Sequence, residues 1–161
     1  MPCRGVSTFV SRYNNFMTTN TIQTKTIEIK TGGFTDIIDL SLEIEKFLKE
    51  IKINDGTLIV FVPGSTAGIT TIEYEPGLKK DIPEFLEKIL PYKYNYEHHK
   101  TWHDDNGSAH IRAALIGPSQ SIPIINGKLA TGTWQQVVLI DFDTGARTRK
   151  VILQIINQMT F

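Results

Sequence analysis

The chain has 161 residues, with 17 basic and 17 acidic side chains and a formal net charge of +0. That balance excludes a protein that grips nucleic acid by charge and a polybasic membrane binder, because both need a basic surplus. With 40% hydrophobic and 21% charged residues, the chain is neither disordered nor a long coiled coil, and its length fits one domain with its own core.

Two further exclusions follow from local features. The longest apolar run, Leu58 to Val62, is too short to span a bilayer. Cys3 is the only cysteine, so an intramolecular disulfide and a thiolate-built structural zinc site are ruled out. These features point to a cytoplasmic protein. Residues 1–20 carry Arg4 and Arg12 and no acidic side chain. They read as a disordered extension or an over-long start, with Met17 as an alternative initiator. A targeting segment is the competing reading, though no clear amphipathic repeat supports it. Residues 21–161 form the single domain.

In chain order, Thr21 to Thr31 is rich in Thr and Ile and reads as a β-branched strand, stopped by Gly32-Gly33. A helix is predicted from Asp36 to Ile51, with Thr35 or Asp36 as N-cap and Ile37, Leu40, Ile44, Phe47, Leu48 and Ile51 at helical spacing. Asn54-Asp55-Gly56 is a turn, and Thr57 to Val62 a buried strand. A strand from Gly68 to Glu73 and a helix from Lys79 to Leu90 follow. Pro91 to Ser108 has no usable periodicity and reads as a long loop of the kind that carries function. Strands are predicted at His110 to Ile116, around Asn126-Gly127, at Thr133 to Phe142 and at Arg147 to Ile156. The fold class is α+β, a mainly antiparallel sheet with two helices packed on it.

The sharpest chemical signal is the run from His98 to His110, which holds all four histidines together with Asp104, Asp105 and Asn106. Imidazoles and carboxylates are ligands for zinc-like ions and act as general acids and bases near neutral pH. The spacing matches no standard zinc motif, and a solvated loop with incidental histidines remains open. On a strand, His110 and Arg112 would share a face, a pairing suited to a phosphate or carboxylate. A cross-strand ion pair is the alternative. Thr133 and Gln135 would share a strand face with Val137 and Leu139, placing the Gln135 amide beside Trp134 to orient a substrate or simply to pack a strand end. Gly64-Ser65-Thr66-Ala67-Gly68 offers backbone N–H groups to an anion but is neither a phosphate loop nor a nucleophile elbow. Glu73 and Asp81 flank the Pro76-Gly77 turn as further polar partners or as surface carboxylates.

Taken together, these segments resemble the YjbQ family, small proteins that often carry the label of secondary thiamine-phosphate synthase. The resemblance is carried by an ordered series. It runs from Ser65-Thr66-Ala67-Gly68-Ile69-Thr70 and Glu73 through Pro76, Asp81 and Tyr96-Glu97-His98 to Asp104, Asn106, His110-Ile111 and Leu115-Ile116-Gly117. Pro123, Gly127, Gly132-Thr133-Trp134-Gln135 and Arg147-x-Arg149 complete it. It spans about Thr21 to Ile156. One departure is that many members carry Pro-His where this chain has Pro63-Gly64, leaving His99 or His103 as substitutes.

The resemblance implies a homotrimer with a His/Asp pocket for a phosphorylated small molecule, and joining of a pyrimidine diphosphate to a thiazole phosphate. Under that reading Asp104, Asn106, His110 and Gln135 carry the chemistry. Thr66, Glu73, Arg112 and Trp134 contact substrate, and His98, Asp104 and His110 are ligands available to a divalent metal, zinc or magnesium. The alternative is a non-catalytic trimeric small-molecule or metal-binding protein whose polar cluster is structural. Neither reading involves nucleic acid or membrane.

Overall fold

β-Branched residues dominate the first strand, β1 (Thr18–Thr31), and the last, β8 (Arg147–Thr160). Val, Ile and Thr are stiff at χ1 and fit the pleated surface. In the computed structural model, which describes the backbone from Thr18 to Thr160 and the side chains of residues 21–157, these two strands pair antiparallel from Thr18 opposite Thr160 to Thr31 opposite Arg147. β8 also pairs with β3 (Gly56–Phe61). β3 pairs with β5 (Ser119–Ile125), and β5 turns at Asn126-Gly127 into the short β6 (Lys128–Leu129). The result is a five-stranded sheet in the order β1-β8-β3-β5-β6. A second sheet places β7 (Gln136–Asp141) between β2 (Asp36–Asp39) and β4 (Ala67–Ile72). Both sheets are antiparallel throughout. The helices are α1 (Ser41–Ile51), α2 (Leu78–Ile89), α3 (Glu97–Trp102) and α4 (Gly107–Ile116).

The two sheets face each other across one core. Val60, Leu153 and Ile155 from the large sheet meet Ile69, Val137 and Leu139 from the small one, and Leu40, Ile44, Phe47 and Leu48 fill the space beneath α1. The alternate residues of β7, Val138 and Ile140, together with Phe142, point the other way. There they pack with Leu86 of α2 and Ala109 and Ala113 of α4. β7 is therefore apolar on both faces, which is why its sequence is a continuous apolar run rather than an alternation. Each such side chain stabilises the fold by roughly 1.5–3 kcal/mol through burial.

Several sequence expectations need correction. Asp36–Asp39 is a strand paired with Val138–Asp141 rather than the start of a helix. Helix α1 begins at Ser41, whose N–H and hydroxyl both donate to Asp39 Oδ1. The expected strand at His110–Ile116 is helix α4. Its buried stripe, Ala109, Arg112, Ala113 and the half-buried Ile116, has i, i+3, i+4, i+7 spacing. Small and charged residues on that stripe disguised a helical period as strand alternation. Thr133, Trp134 and Gln135 precede β7 in a turn rather than lying on it. The presumed loop from Pro91 to Ser108 contains α3. Instead of one sheet with two helices there are two sheets, with α2 and α4 on the outer face of the smaller. The class remains α+β and mainly antiparallel. The readings placed on residues 1–17 lie outside the described residues. No described helix is long and apolar enough to cross a membrane.

One end of the inter-sheet core is closed by charge. Arg149, on the inward row of β8 with Val151 and Leu153, forms a bidentate pair with Asp141: Nη2 to Oδ1 at 2.6 Å and Nε to Oδ2 at 2.8 Å. It also donates to the Thr66 hydroxyl at 2.8 Å and to Asp143 at 3.3 Å, while Arg147 Nε holds Asp143 at 2.8 Å. Asp141 is fully buried. The Asp141 hydrogen bonds keep Arg149 protonated even more firmly than usual. Burial opposes ionisation of Asp143, but hydrogen bonds from Arg147, the Thr144 N–H and Thr66 prevail and hold its carboxyl below the ordinary value.

Two outcomes are expected. Asp141→Asn leaves a buried guanidinium without its chief partner and lowers unfolding free energy by about 3–5 kcal/mol, read by urea denaturation. The contribution of Asp143 is complete above the ordinary aspartate pKa of about 4 and is lost as pH falls through its lower folded value. Asp143→Asn should accordingly flatten the acid limb of the stability–pH curve.

Candidate functional site

Helix α4 brings the sequence-predicted residues together. Its first residue, Gly107, lies against α3: a Cβ there would sit 2.8 Å from Tyr96 Cβ and 3.1 Å from His99 Nε2. Only the absence of a side chain permits that approach. The Gly107 N–H donates to His99 Nε2 at 3.3 Å. That bond places the neutral ring's hydrogen on Nδ1, which faces Asp105 Oδ1 at 4.0 Å. One turn into α4, the His110 ring lies against His98 of α3, with centroids 4.4 Å apart and planes tilted by 53°. His98 Nε2 is 3.4 Å from Asp104 Oδ1. His98, Asp104 and His110 thus form one partly exposed cluster.

The Asn106 side chain does not cap α4; His99 takes the Gly107 N–H, and the Ala109 and His110 N–H groups turn back to the Asn106 carbonyl at 2.9 and 3.3 Å. Asn106 Oδ1 and Ser108 Oγ are both buried without a hydrogen-bond partner among the described residues, and Ser108 is wholly enclosed. What this end of α4 offers an anion is the positive end of the helix dipole.

Arg112 goes elsewhere. Residues two apart on a helix point about 200° apart, so Arg112 faces inward while His110 faces out. Its guanidinium, 1% exposed, donates to the Leu90 carbonyl, the Thr35 hydroxyl at 2.8 Å and Glu87 at 2.8 Å. It also lies 3.9 Å from the Tyr92 ring centroid. The expectation that Arg112 and His110 share a face beside a ligand is therefore replaced: Arg112 is a buried tie between α4, the end of α2 and the turn before β2. Burial raises the Tyr92 phenol pKa, with the Thr35 hydrogen bond and Arg112 opposing.

The remaining candidates are dispersed. Thr66 belongs to the Arg149 network. Glu73 and Trp134 are exposed, Trp134 at 70%. The Gln135 amide donates to the Thr71 hydroxyl at 2.9 Å and accepts from the Gly132 N–H at 3.1 Å. It lines a groove of about 620 Å³ between α1 and the β6–β7 connection. Gly64, the departure from the Pro-His that the resemblance implies, has φ +128°, and a Cβ there would point at Arg149 Nη1 from 3.6 Å. A histidine at that position would be strained. Among the described residues, no three His, Cys, Asp or Glu side chains converge to hold a metal ion. The donor types at His98, Asp104 and His110 suit zinc, but their arrangement in one chain does not close around an ion.

Sequence reasoning missed Phe34, Thr35, Tyr92 and Ser108. The only hint was the turn chemistry of Gly32-Gly33 followed by Phe34. Gly107→Ala is expected to push α3 from α4, costing about 1–3 kcal/mol by overpacking. NMR shift changes should concentrate on Tyr96, His98, His99 and His110. Changes spread evenly over the core instead would remove the close-approach argument.

Comparison with known proteins agrees with this architecture. The model of the YjbQ-like UPF0047 protein family matches residues 25–158. A UPF0047 protein of Archaeoglobus fulgidus is 39% identical over 128 residues, covering 80% of this chain and 97% of the relative. UPF0047 protein YugU of Bacillus subtilis is 35% identical, covering 83% and 98%. Among solved structures, a YbjQ-like protein of unknown function from Sulfolobus solfataricus superposes with a TM-score of 0.80 at 27% identity, covering 86% of this chain and 99% of that one. An uncharacterised YjbQ/UPF0047 protein from Clostridium acetobutylicum gives 0.71 at 36% identity, covering 85% and 99%. With its sequence matched along nearly the whole domain and its fold shared, the chain belongs to the YjbQ-like UPF0047 family.

Proposed function

We propose that this protein binds a phosphorylated small molecule at the first turn of α4, with His98 and His110 as its acid/base pair. The observation that carries the reading is the contact between the two imidazoles, 4.4 Å between centroids, at the positive end of α4 and beside the Ser108 hydroxyl, a buried donor with no partner among the described residues. The imidazoles face the phosphate at the positive end of α4; one accepts a proton from the reacting group while the other donates. Asp104 orients His98, and Asn106 positions the substrate, while Gln135 lies in a separate groove and takes no part.

Thiamine-phosphate formation enters as a weak side activity. The cations that a diphosphate would need are already held by carboxylates: Lys100 by Glu97, Arg112 by Glu87, Arg147 by Asp143 and Arg149 by Asp141. A divalent ion, zinc or magnesium, is proposed only where a donor from outside this chain completes the set begun by His98, Asp104 and His110. The assembly is proposed to be a homotrimer, supported by apolar side chains left in solvent on α4, Ile111 at 39% and Leu115 at 65% exposed. The same patch favours a second reading, a trimeric binder in which the polar cluster only braces subunit contacts.

Calorimetric titration with inorganic phosphate tests the site. His98→Ala and His110→Ala should each weaken binding roughly 10- to 100-fold, the loss of one charge-assisted hydrogen bond, with the oligomer intact by light scattering. Unchanged phosphate affinity with a dissociated oligomer would sink the catalytic reading in favour of the bracing one. Restored growth of a thiamine-phosphate-synthase-deficient strain, abolished by His110→Ala, supports the side activity; failure of the wild type to restore it removes that label. Metal analysis of wild type beside His98→Ala decides the ion.

A further inference from the structure

Two Asn-Gly pairs lie in the chain, Asn106-Gly107 and Asn126-Gly127. Such pairs carry a reaction of their own. The backbone nitrogen that follows an asparagine attacks the side-chain amide carbon, and glycine permits the approach because it has no Cβ to obstruct it. A five-membered succinimide closes as the N–Cγ bond forms, and the side-chain nitrogen leaves as ammonia with the proton of the attacking N–H. Water then opens the ring at one carbonyl or the other, giving aspartate or isoaspartate, whose main chain runs through Cβ and Cγ. The net change is asparagine plus water to a carboxylic acid plus ammonia, with nothing oxidised or reduced. Structure sets the rate, because the attacking N–H must first be released and turned toward Cγ.

At Asn106 the surroundings block the reaction. The Gly107 N–H is held by His99 Nε2 at 3.3 Å, and the Asn106 carbonyl accepts the Ala109 and His110 N–H groups at 2.9 and 3.3 Å. Rotating this peptide toward the side chain unwinds the first turn of α4. Gly107 is also buried against Tyr96. Asn106 Oδ1 is buried without a partner among the described residues, so charge developing on it during attack goes unsolvated.

At Asn126 the constraints are few. Asn126 and Gly127 form the two-residue turn between β5 and β6, with φ +51° and +75°, the geometry that Asn-Gly favours in a hairpin. The asparagine is exposed, and β6 is two residues long at the edge of the large sheet. The attacking Gly127 N–H has one bond to give up, to the Asn54 carbonyl at 2.7 Å, and no helix unwinds when it does. Opening such a hairpin end is a low-cost local event.

We infer that Asn126 is a site of spontaneous deamidation in the folded protein, and that Asn106 is shielded from the same reaction. The new carboxylate stands near Asp55, whose Oδ1 accepts the Asn126 N–H at 3.1 Å, and the two like charges repel. In the isoaspartate form the turn gains one main-chain carbon, so the bond to Asn54 and the pairing of Ile125 with Lys128 lose their common register. Gly127, Lys128 and Leu129 line the groove of about 620 Å³ that also holds Gln135. The modification therefore reshapes one wall of that groove.

The test follows two tryptic peptides of the full chain during incubation in mildly alkaline buffer. Cleavage after Lys100, Arg112 and Lys128 releases Thr101–Arg112, whose only asparagine is Asn106, and Ala113–Lys128, whose only asparagine is Asn126. Mass spectrometry reads the amide-to-acid conversion in each. In the folded protein Asn126 should convert about tenfold faster than Asn106, or more, as a difference in local opening produces. In urea the two should convert at similar rates; the same ratio there would trace the difference to sequence context and overturn the shielding. Equal conversion in the folded protein, or an Asn126 that stays intact while the urea-unfolded chain converts, overturns the inference. Asn126→Gln, which needs a less favourable six-membered ring, should silence the second peptide. Continued conversion in that variant assigns the signal to Gln120 and overturns the site.

Discussion

A single buried guanidinium sets the geometry on which the candidate site depends. A charge at the Arg112 position is tolerable only if its donors are met, because an uncompensated ion in the interior costs several kcal/mol. The partners come from three places: the Leu90 carbonyl and Glu87 at the end of α2, and Thr35 in the turn before β2. Tyr92 closes over the planar face. Satisfying them together fixes the rotation of α4 about its axis, and with it the outward direction of His110. The same side chain stabilises the left-handed turn that presents Phe34. The outward imidazole of His110 and the exposed ring of Phe34 are therefore both positioned by one buried side chain.

Charge neutrality has a structural explanation at the same level. Arg147 and Arg149 meet Asp141 and Asp143 where the two sheets would otherwise open to solvent, and several other cations are likewise engaged with carboxylates. The guanidinium groups of Arg112, Arg147 and Arg149 thus face carboxylates of the protein itself rather than solvent ions, and a chain with no net charge sets up little long-range field.

Much of the fold was legible because its apolar residues repeat with clean periods. The strands at Thr57–Val62 and Arg147–Ile156, the helix at Lys79–Leu90 and the long run at Thr133–Phe142 all lie within a few residues of observed elements. What escaped did so for physical reasons. Asp36–Asp39 carries helical spacing but is captured by β7, a tertiary pairing that no local pattern reports. In α4 the inward stripe consists of alanines and an arginine, so hydrophobicity alone could not reveal it. Of the candidate site, the proximity of His98, Asp104 and His110 was legible from clustering along the chain. The withdrawal of Arg112 was not, because a basic residue near histidines looks the same in sequence whether it faces a ligand or a carbonyl. The divergence of Gln135 into a separate groove likewise depends on where the β6–β7 connection runs.

The strand order carries a consequence for how the molecule is made. β8, the last strand in sequence, lies inside the large sheet between β1 and β3, so β1 has no partner in that sheet, and β3 only β5, until β8 has emerged. Folding must then be governed by contacts of long sequence separation, which slow the search and leave strand edges exposed meanwhile. The pairing of Thr18 with Thr160 also brings distant parts of the chain side by side at one edge. A short peptide linker could join Thr160 to Thr18, and a cut at the Asn126-Gly127 turn would then give up the bonds that its N–H groups make to Asp55 and Asn54. Circular permutation at that turn would let β8 be synthesised before β1 and β3, converting the last strand to arrive into the first.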